Sequence, residues 1–265
     1  MTSDNTSHIT LPTQRAAHSA FFVFSLHKCG STMLTNLMQE VLQAAGEPWV
    51  NFPDQFFRLG VPAKDWRQDK ALSDLVVPGL VYTGYRFLPE FMSRDMLAAG
   101  RSVLLVRDPR DALVSAFFSF GANGSHVLPG TAKGDAADAI LKARAAAADM
   151  TINEWVLKRA RAVAVEFMRY APHVGQPDFR LFRYEDVLFD KARLLADVFA
   201  HFGLPLPANA AAIAERHHVL PGKEDPSKHI RKATPGDHRD KLTPETIAEL
   251  DRILAEPLRF YGYTS

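Results

Sequence analysis

Residues 21–32, FFVFSLHKCGST, join an apolar run suited to a buried strand to a lysine, a glycine and two hydroxyls. A strand turning tightly into a helix aims its loop amides and the helix N-terminus at one point, which attracts an anion. Gly30 lets the backbone approach closely. Ser31 and Thr32 can cap the helix or donate hydroxyls, and Lys28 adds a full positive charge. Together they suit one phosphate. The alternative reading makes Ser31 and Thr32 plain caps and Lys28 a solvated loop residue. A Walker loop places lysine directly before its hydroxyl residue. Here Lys28 precedes Gly30 and the first glycine is missing, which argues against an ATPase or kinase. The order puts Lys28 beside the bridging oxygen of a leaving phosphate.

A second stretch, VLLVRDPRDALVSAFFSF, repeats the theme. A hydrophobic strand ends in Arg107, Pro109 pins the turn, and the following helix carries Ser115. Arg107 and Ser115 can converge on a second phosphate, because ligands of open parallel sheets sit at the strands' C-terminal edges. The alternative pairs Arg107 with Asp108 or Asp111 at the surface. Two phosphate sites on one sheet imply a nucleotide phosphorylated at two separate positions.

The elements that position these residues follow from periodicity. Strands are expected at 21–26, 80–84, 102–107 and 178–184, short and rich in aromatic and β-branched residues. Helical spacing runs from Thr32 to Ala45, where Gly46 and Pro48 stop it, from Thr151 to Tyr170, and over 244–255. Alternating strands and helices predict a layered α/β domain around a mainly parallel sheet. Residues 1–18 read as a flexible leader and 19–265 as one domain. The segment 121–150 reads either as a lid over substrate or as a surface insertion.

The 265 residues carry 31 Lys and Arg against 30 Asp and Glu, so any anion site is local, and no basic field points to nucleic acid. The single cysteine, Cys29, excludes an internal disulfide and suits a cytoplasmic location. Its place beside Lys28 at a helix start predicts a lowered thiol pKa. No apolar run approaches the roughly 18–20 residues that span a bilayer. No His and carboxylate cluster stands at metal-ligand spacing, so no metal is expected.

With these motifs in order, the chain resembles the sulfotransferases that use 3′-phosphoadenosine 5′-phosphosulfate (PAPS). Their P-K-S-G-T-T loop is matched by HKCGST at Lys28, Gly30 and Thr32, with Ser31 replacing a threonine, their R-[ND]-P-[KR]-D-x-x-x-S motif is matched in full by RDPRDALVS, and their R-K-G-x-x-G-D-W tail is resembled by RKATPGDH, with RYED at 183–186 matching a further segment. The resemblance runs from about Phe21 to Tyr261. It implies a three-layer, P-loop-like α/β fold with a central mainly parallel sheet flanked by helices. It also implies PAPS as donor and a small-molecule, lipid or carbohydrate acceptor. Lys28, Cys29, Gly30, Ser31 and Thr32 would form the 5′-phosphate loop, with Arg107, Ser115, Arg231 and Lys232 on the 3′-phosphate. His27, Met33, Ala233 and His238 depart from the family pattern and leave adenine packing open.

Sulfuryl transfer needs a stabilised leaving phosphate, in-line placement and removal of the acceptor's proton. Lys28 is the candidate for the first task, with Ser115 expected to hold the lysine back until acceptor arrives. The family's catalytic histidine is missing: GYRFLPE puts Phe87 in its place, and Asn36 stands where carbohydrate-modifying relatives carry a glutamate. Asp54 in NFPDQFF is the leading candidate base, ahead of His126 and Glu90. A kinase, or a catalytically silent nucleotide-binding module, is the alternative. Trp49, Phe52, Phe56, Phe57 and Trp66 hint at a ring-containing acceptor and equally suit a core.

Overall fold

All five strands run parallel, so every loop leaving a strand's C-terminal end opens on the same edge of the sheet. The computed structural model describes residues 5–121, 134–218 and 234–263. The strands are β1 (Phe21–Ser25), β2 (Trp49–Val50), β3 (Val81–Tyr85), β4 (Arg101–Val106) and β5 (Phe179–Arg183), in the order β2-β3-β1-β4-β5. β1 sits at the centre, with Phe21 beside Val81 of β3 and Arg101 of β4. It has no solvent face, which is why its sequence is apolar without alternation.

Side chains of β1 divide the core. Phe22 and Phe24 pack with Phe52, Phe56, Trp66, Tyr82 and Tyr170 on one face of the sheet. Phe21 and Val23 pack on the other, against Leu34, Leu37, Met38 and Val41. These last belong to α1 (Ser31–Ala44), whose buried positions recur at the three- and four-residue spacing of one helix face. Gly46, at a left-handed φ of 71°, ends the run as its sequence position predicts. Next in order come α2 (Phe52–Leu59), α3 (Pro109–Phe120), α4 (Gly134–Ala145) and α5 (Ile152–Met168). α5 opens on a reciprocal cap: Thr151 accepts from the Glu154 amide while the Glu154 carboxylate accepts from Thr151. Towards the C-terminus follow α6 (Asp237–Lys241) and α7 (Pro244–Ile253).

Three features differ from the sequence expectations. β2 has only two residues, too few to leave a period. Residues 5–18 pack on the domain where polar composition predicts a flexible leader. Asn5 donates to the Asp65 carbonyl and to Asp69 Oδ2 at 2.8 Å, Ile9 enters the core, and Gly79 donates to the His18 carbonyl at 2.8 Å. A few well-satisfied polar groups and one isoleucine suffice to hold the segment, a signal that average composition dilutes. Within 121–150, α4 is a helix; the lid or insertion expected there otherwise falls largely on residues outside the described ones. No described helix is long and apolar enough to cross a membrane.

Candidate functional site

The turn after β1 is built from two left-handed residues, Lys28 at φ 63° and Gly30 at φ 88°. That conformation is uncommon for a residue with a side chain and marks a tightly determined loop. A Cβ on Gly30 would lie 2.8 Å from the Tyr184 ring, so glycine is required by space as well as by φ. Gly30 also heads α1 without a side-chain cap, so the positive end of the helix faces the turn. Ser31 is buried, and Thr32 lines the adjoining cavity. These features fit a bound phosphate.

Two expectations for this loop change. Lys28 Nζ donates to Ser119 Oγ at 2.7 Å, so the hydroxyl that meets the lysine is Ser119 where Ser115 was expected. Ser115 lies one helical turn earlier on α3 and is half-buried. Cys29 is completely buried, and burial pushes its thiol well above the ordinary range despite the opposing pull of Arg107. The lowered thiol pKa expected from sequence is therefore overturned, because desolvation of the thiolate outweighs the nearby positive charge.

Arg107 leaves the end of β4 and is buried. Its Nη2 donates to Asp111 Oδ2 at 3.4 Å and to the Thr234 carbonyl at 3.2 Å, its guanidinium lies 4.9 Å from the Tyr184 ring, and its buried Nε has no partner among the described residues. Asp111 is thus the partner, as the alternative reading had it, but the pair lies inside the protein. Asp111 also accepts from the Gly236 amide at 2.7 Å, the His238 amide at 2.9 Å and His238 Nδ1 at 2.6 Å. Burial raises this carboxyl, yet the His238 bonds and the Arg107 charge overcome it and hold the pKa at about 2. His238, where the family tail has tryptophan, therefore fastens that tail to the second motif.

The other charges of RDPRD are structural. Arg110 grips Asp108 at 2.7 and 3.0 Å and Asp251 at 2.7 Å. Glu185 accepts from the Asp108 amide at 3.0 Å and from the Tyr263 hydroxyl at 2.8 Å. Tyr184 lies against both Gly30 and Arg107, so one ring connects the two candidate phosphate sites. Arg231, Lys232 and His126 lie outside the described residues.

Beside the first loop opens a cavity of about 720 Å³, lined by His27, Thr32, Asn36, Asp54, Arg86 and Phe87 among others. Asp54 stands in the first turn of α2, its amide bonded to Asn51 Oδ1 at 2.9 Å and its carboxylate to Arg58 Nε at 2.9 Å. Glu90 is outside the lining and lies 3.8 Å from Arg169. Phe52, Phe56 and Trp66 belong to the core, and Trp66 also reaches the cavity wall with Phe57 and Phe87. Trp49 packs against the α1 face of the sheet. Sequence reasoning missed Ser119 and assigned Arg86 no role; each offered one signal, a hydroxyl one turn beyond Ser115 and a charge directly after a strand. Among the described residues no three His, Cys, Asp or Glu side chains gather as a metal-ligand set.

A family model for the sulfotransferase domain matches residues 18–262. The chain belongs to the sulfotransferase family. No curated protein sequence matches it. Among solved structures, mouse sulfotransferase SULT7A1 complexed with PAP is similar at 15% identity and a TM-score of 0.59, covering 98% of this chain and 91% of that one. Retinol dehydratase in complex with androsterone and the inactive cofactor PAP gives 17% and 0.54, covering 90% and 80%. A sulfotransferase from Alicyclobacillus acidocaldarius gives 16% and 0.50, covering 94% and 96%. At these identities the likeness establishes the fold, and the five-stranded parallel sheet is the P-loop-like core of a sulfotransferase.

Proposed function

We propose that this sulfotransferase takes PAPS as donor and moves its sulfuryl group to a hydroxyl or amine of a small-molecule, lipid or carbohydrate acceptor. The observation that carries the proposal is the pairing of two cation-bearing loops across one tyrosine. The glycine turn with Lys28 and the buried Arg107 both lie against Tyr184, or beside a residue that does. In this reading the Gly30 and Ser31 amides, with Ser31 and Thr32, hold the 5′-phosphate, and Cys29 shapes the loop by donating its amide to the Leu26 carbonyl at 3.0 Å. Arg107 holds the 3′-phosphate, joined by Ser115, Arg231 and Lys232.

Lys28 is proposed to move from Ser119 to the bridging oxygen and to neutralise charge there as the sulfur–oxygen bond to phosphate breaks. The acceptor's oxygen or nitrogen forms the new bond to sulfur, and its proton passes to the Asp54 carboxylate. Asp54 is supported by its place in the cavity wall with Thr32, where the Arg58 guanidinium lies 2.9 Å from its carboxylate. Glu90 has no such place. His27 lines the same cavity and is a second candidate for the proton.

Transfer from radiolabelled PAPS across an acceptor library tests the proposal. Lys28→Ala should lower turnover more than affinity for PAP, while Arg107→Ala should chiefly weaken PAP. Each loss corresponds to about 1.5–3 kcal/mol for one charge-assisted contact. The opposite pattern overturns the two roles, and tight PAP binding without transfer to any acceptor would make the chain a silent nucleotide-binding module.

A further inference from the structure

We propose that the acceptor carries a carboxylate or comparable anionic group, and that Arg86 binds it. The inference rests on the reading of the cavity as the acceptor site. Arg86 follows directly on β3, at the C-terminal edge of the sheet where ligands of parallel sheets bind, and it lines the cavity. Three arginines line that space, and two are already engaged. Arg58 is bonded to Asp54 at 2.9 Å, and Arg67 to Glu166 at 3.2 Å while its guanidinium lies 4.6 Å from the Phe87 ring.

Arg86, among the described residues, has no hydrogen-bond or ion-pair partner. Burial pulls its pKa down, and only the more distant charge of Asp54 opposes this. Asp54 is held by Arg58, so the cavity keeps an uncompensated guanidinium in poorly solvated surroundings. Such a group favours a bidentate anion, for which its planar fork is shaped. Phe57, Trp66 and Phe87 give the same cavity an apolar wall. An acceptor fitting both features is a hydroxylated or aminated acid with an apolar body.

Strand order separates this role from donor binding. β3 and β4 flank β1 on opposite sides, so Arg86 and Arg107 stand on opposite sides of the first phosphate loop.

The test is calorimetry on the PAP-saturated protein with three hydroxy acids and their methyl esters: 4-hydroxyphenylacetate, 6-hydroxyhexanoate and glucuronate. At least one acid should bind about tenfold or more tightly than its ester. Arg86→Met should abolish that preference and Arg86→Lys should retain part of it, both with PAP affinity within about twofold of wild type. No preference for an acid in any scaffold, including no binding by either form, overturns the proposal. So does a preference that survives Arg86→Met, or a tenfold loss of PAP affinity in that variant, which would assign Arg86 to the donor. Wild-type protein that fails to bind PAP sinks the donor reading instead, and the same titrations on the free protein then decide the acid preference.

Discussion

Replacing Asp111 with asparagine tests how the tail is fastened to the second motif. The carboxylate accepts from Arg107, from two backbone amides and from the His238 ring, and its side chain is wholly buried. A pKa lowered from 3.8 to about 2 means the ionised form is favoured by about 2 kcal/mol in the folded protein. Asparagine keeps the shape, loses the charge and turns an NH₂ towards donors. Leaving such groups unsatisfied adds about 1–3 kcal/mol, so the total cost is about 3–5 kcal/mol. Because the folded-state pKa is depressed, this stabilisation is fully present above pH 3.8 and is lost as pH falls towards 2. Urea unfolding followed by circular dichroism, from pH 7 down to 2.5, should therefore show a gap between wild type and Asp111→Asn that narrows by more than about 1 kcal/mol. PAP affinity should fall as well, since Gly236 and His238 are held by the same carboxylate. A gap below about 1 kcal/mol at pH 7, or one independent of pH, would refute the reasoning.

Gly30→Ala should lower stability by about 2–4 kcal/mol, combining a left-handed φ with a ring 2.8 Å from the new Cβ, and PAP titration should show weakened binding. Ser119→Ala frees Lys28 from its 2.7 Å bond; PAPS breakdown without acceptor, followed by PAP release, should rise about tenfold, and an unchanged rate would remove the restraining role. Gly84→Ala places a Cβ 2.2 Å from Asn51 Oδ1, the atom that caps α2 beside Asp54. Thermal unfolding should register a loss of about 2–3 kcal/mol, and transfer activity should drop with the displacement of Asp54.

The elements of the central sheet were legible because their signals are local. β1 is apolar on both faces, α1 repeats its buried positions at helical spacing, and Gly46 ends it at a left-handed φ. Four expected strands appear within a residue or two of their predicted bounds, while β2, two residues long, left nothing to read. The lysine, glycine and hydroxyls of the first loop made it the candidate anion site for the same reason. Their chemistry is compressed into five residues whose backbone geometry follows from a strand meeting a helix.

Contacts across the chain decided the rest. Lys28 meets Ser119 at a separation of 91 residues and Asp111 meets His238 at 127, and no local period records which hydroxyl or imidazole arrives there. The fate of Cys29 likewise turned on packing, since a sequence gives the nearby positive charge but not the loss of water that overrides it. Arg86 is the same case in reverse: its type and position after a strand are written in the chain. Only the tertiary arrangement, by giving Arg58 and Arg67 their carboxylates and leaving Arg86 none among the described residues, makes that charge a candidate for an anionic acceptor. Residue chemistry travels with the sequence, whereas solvation and charge compensation are set by whatever distant groups the fold brings alongside.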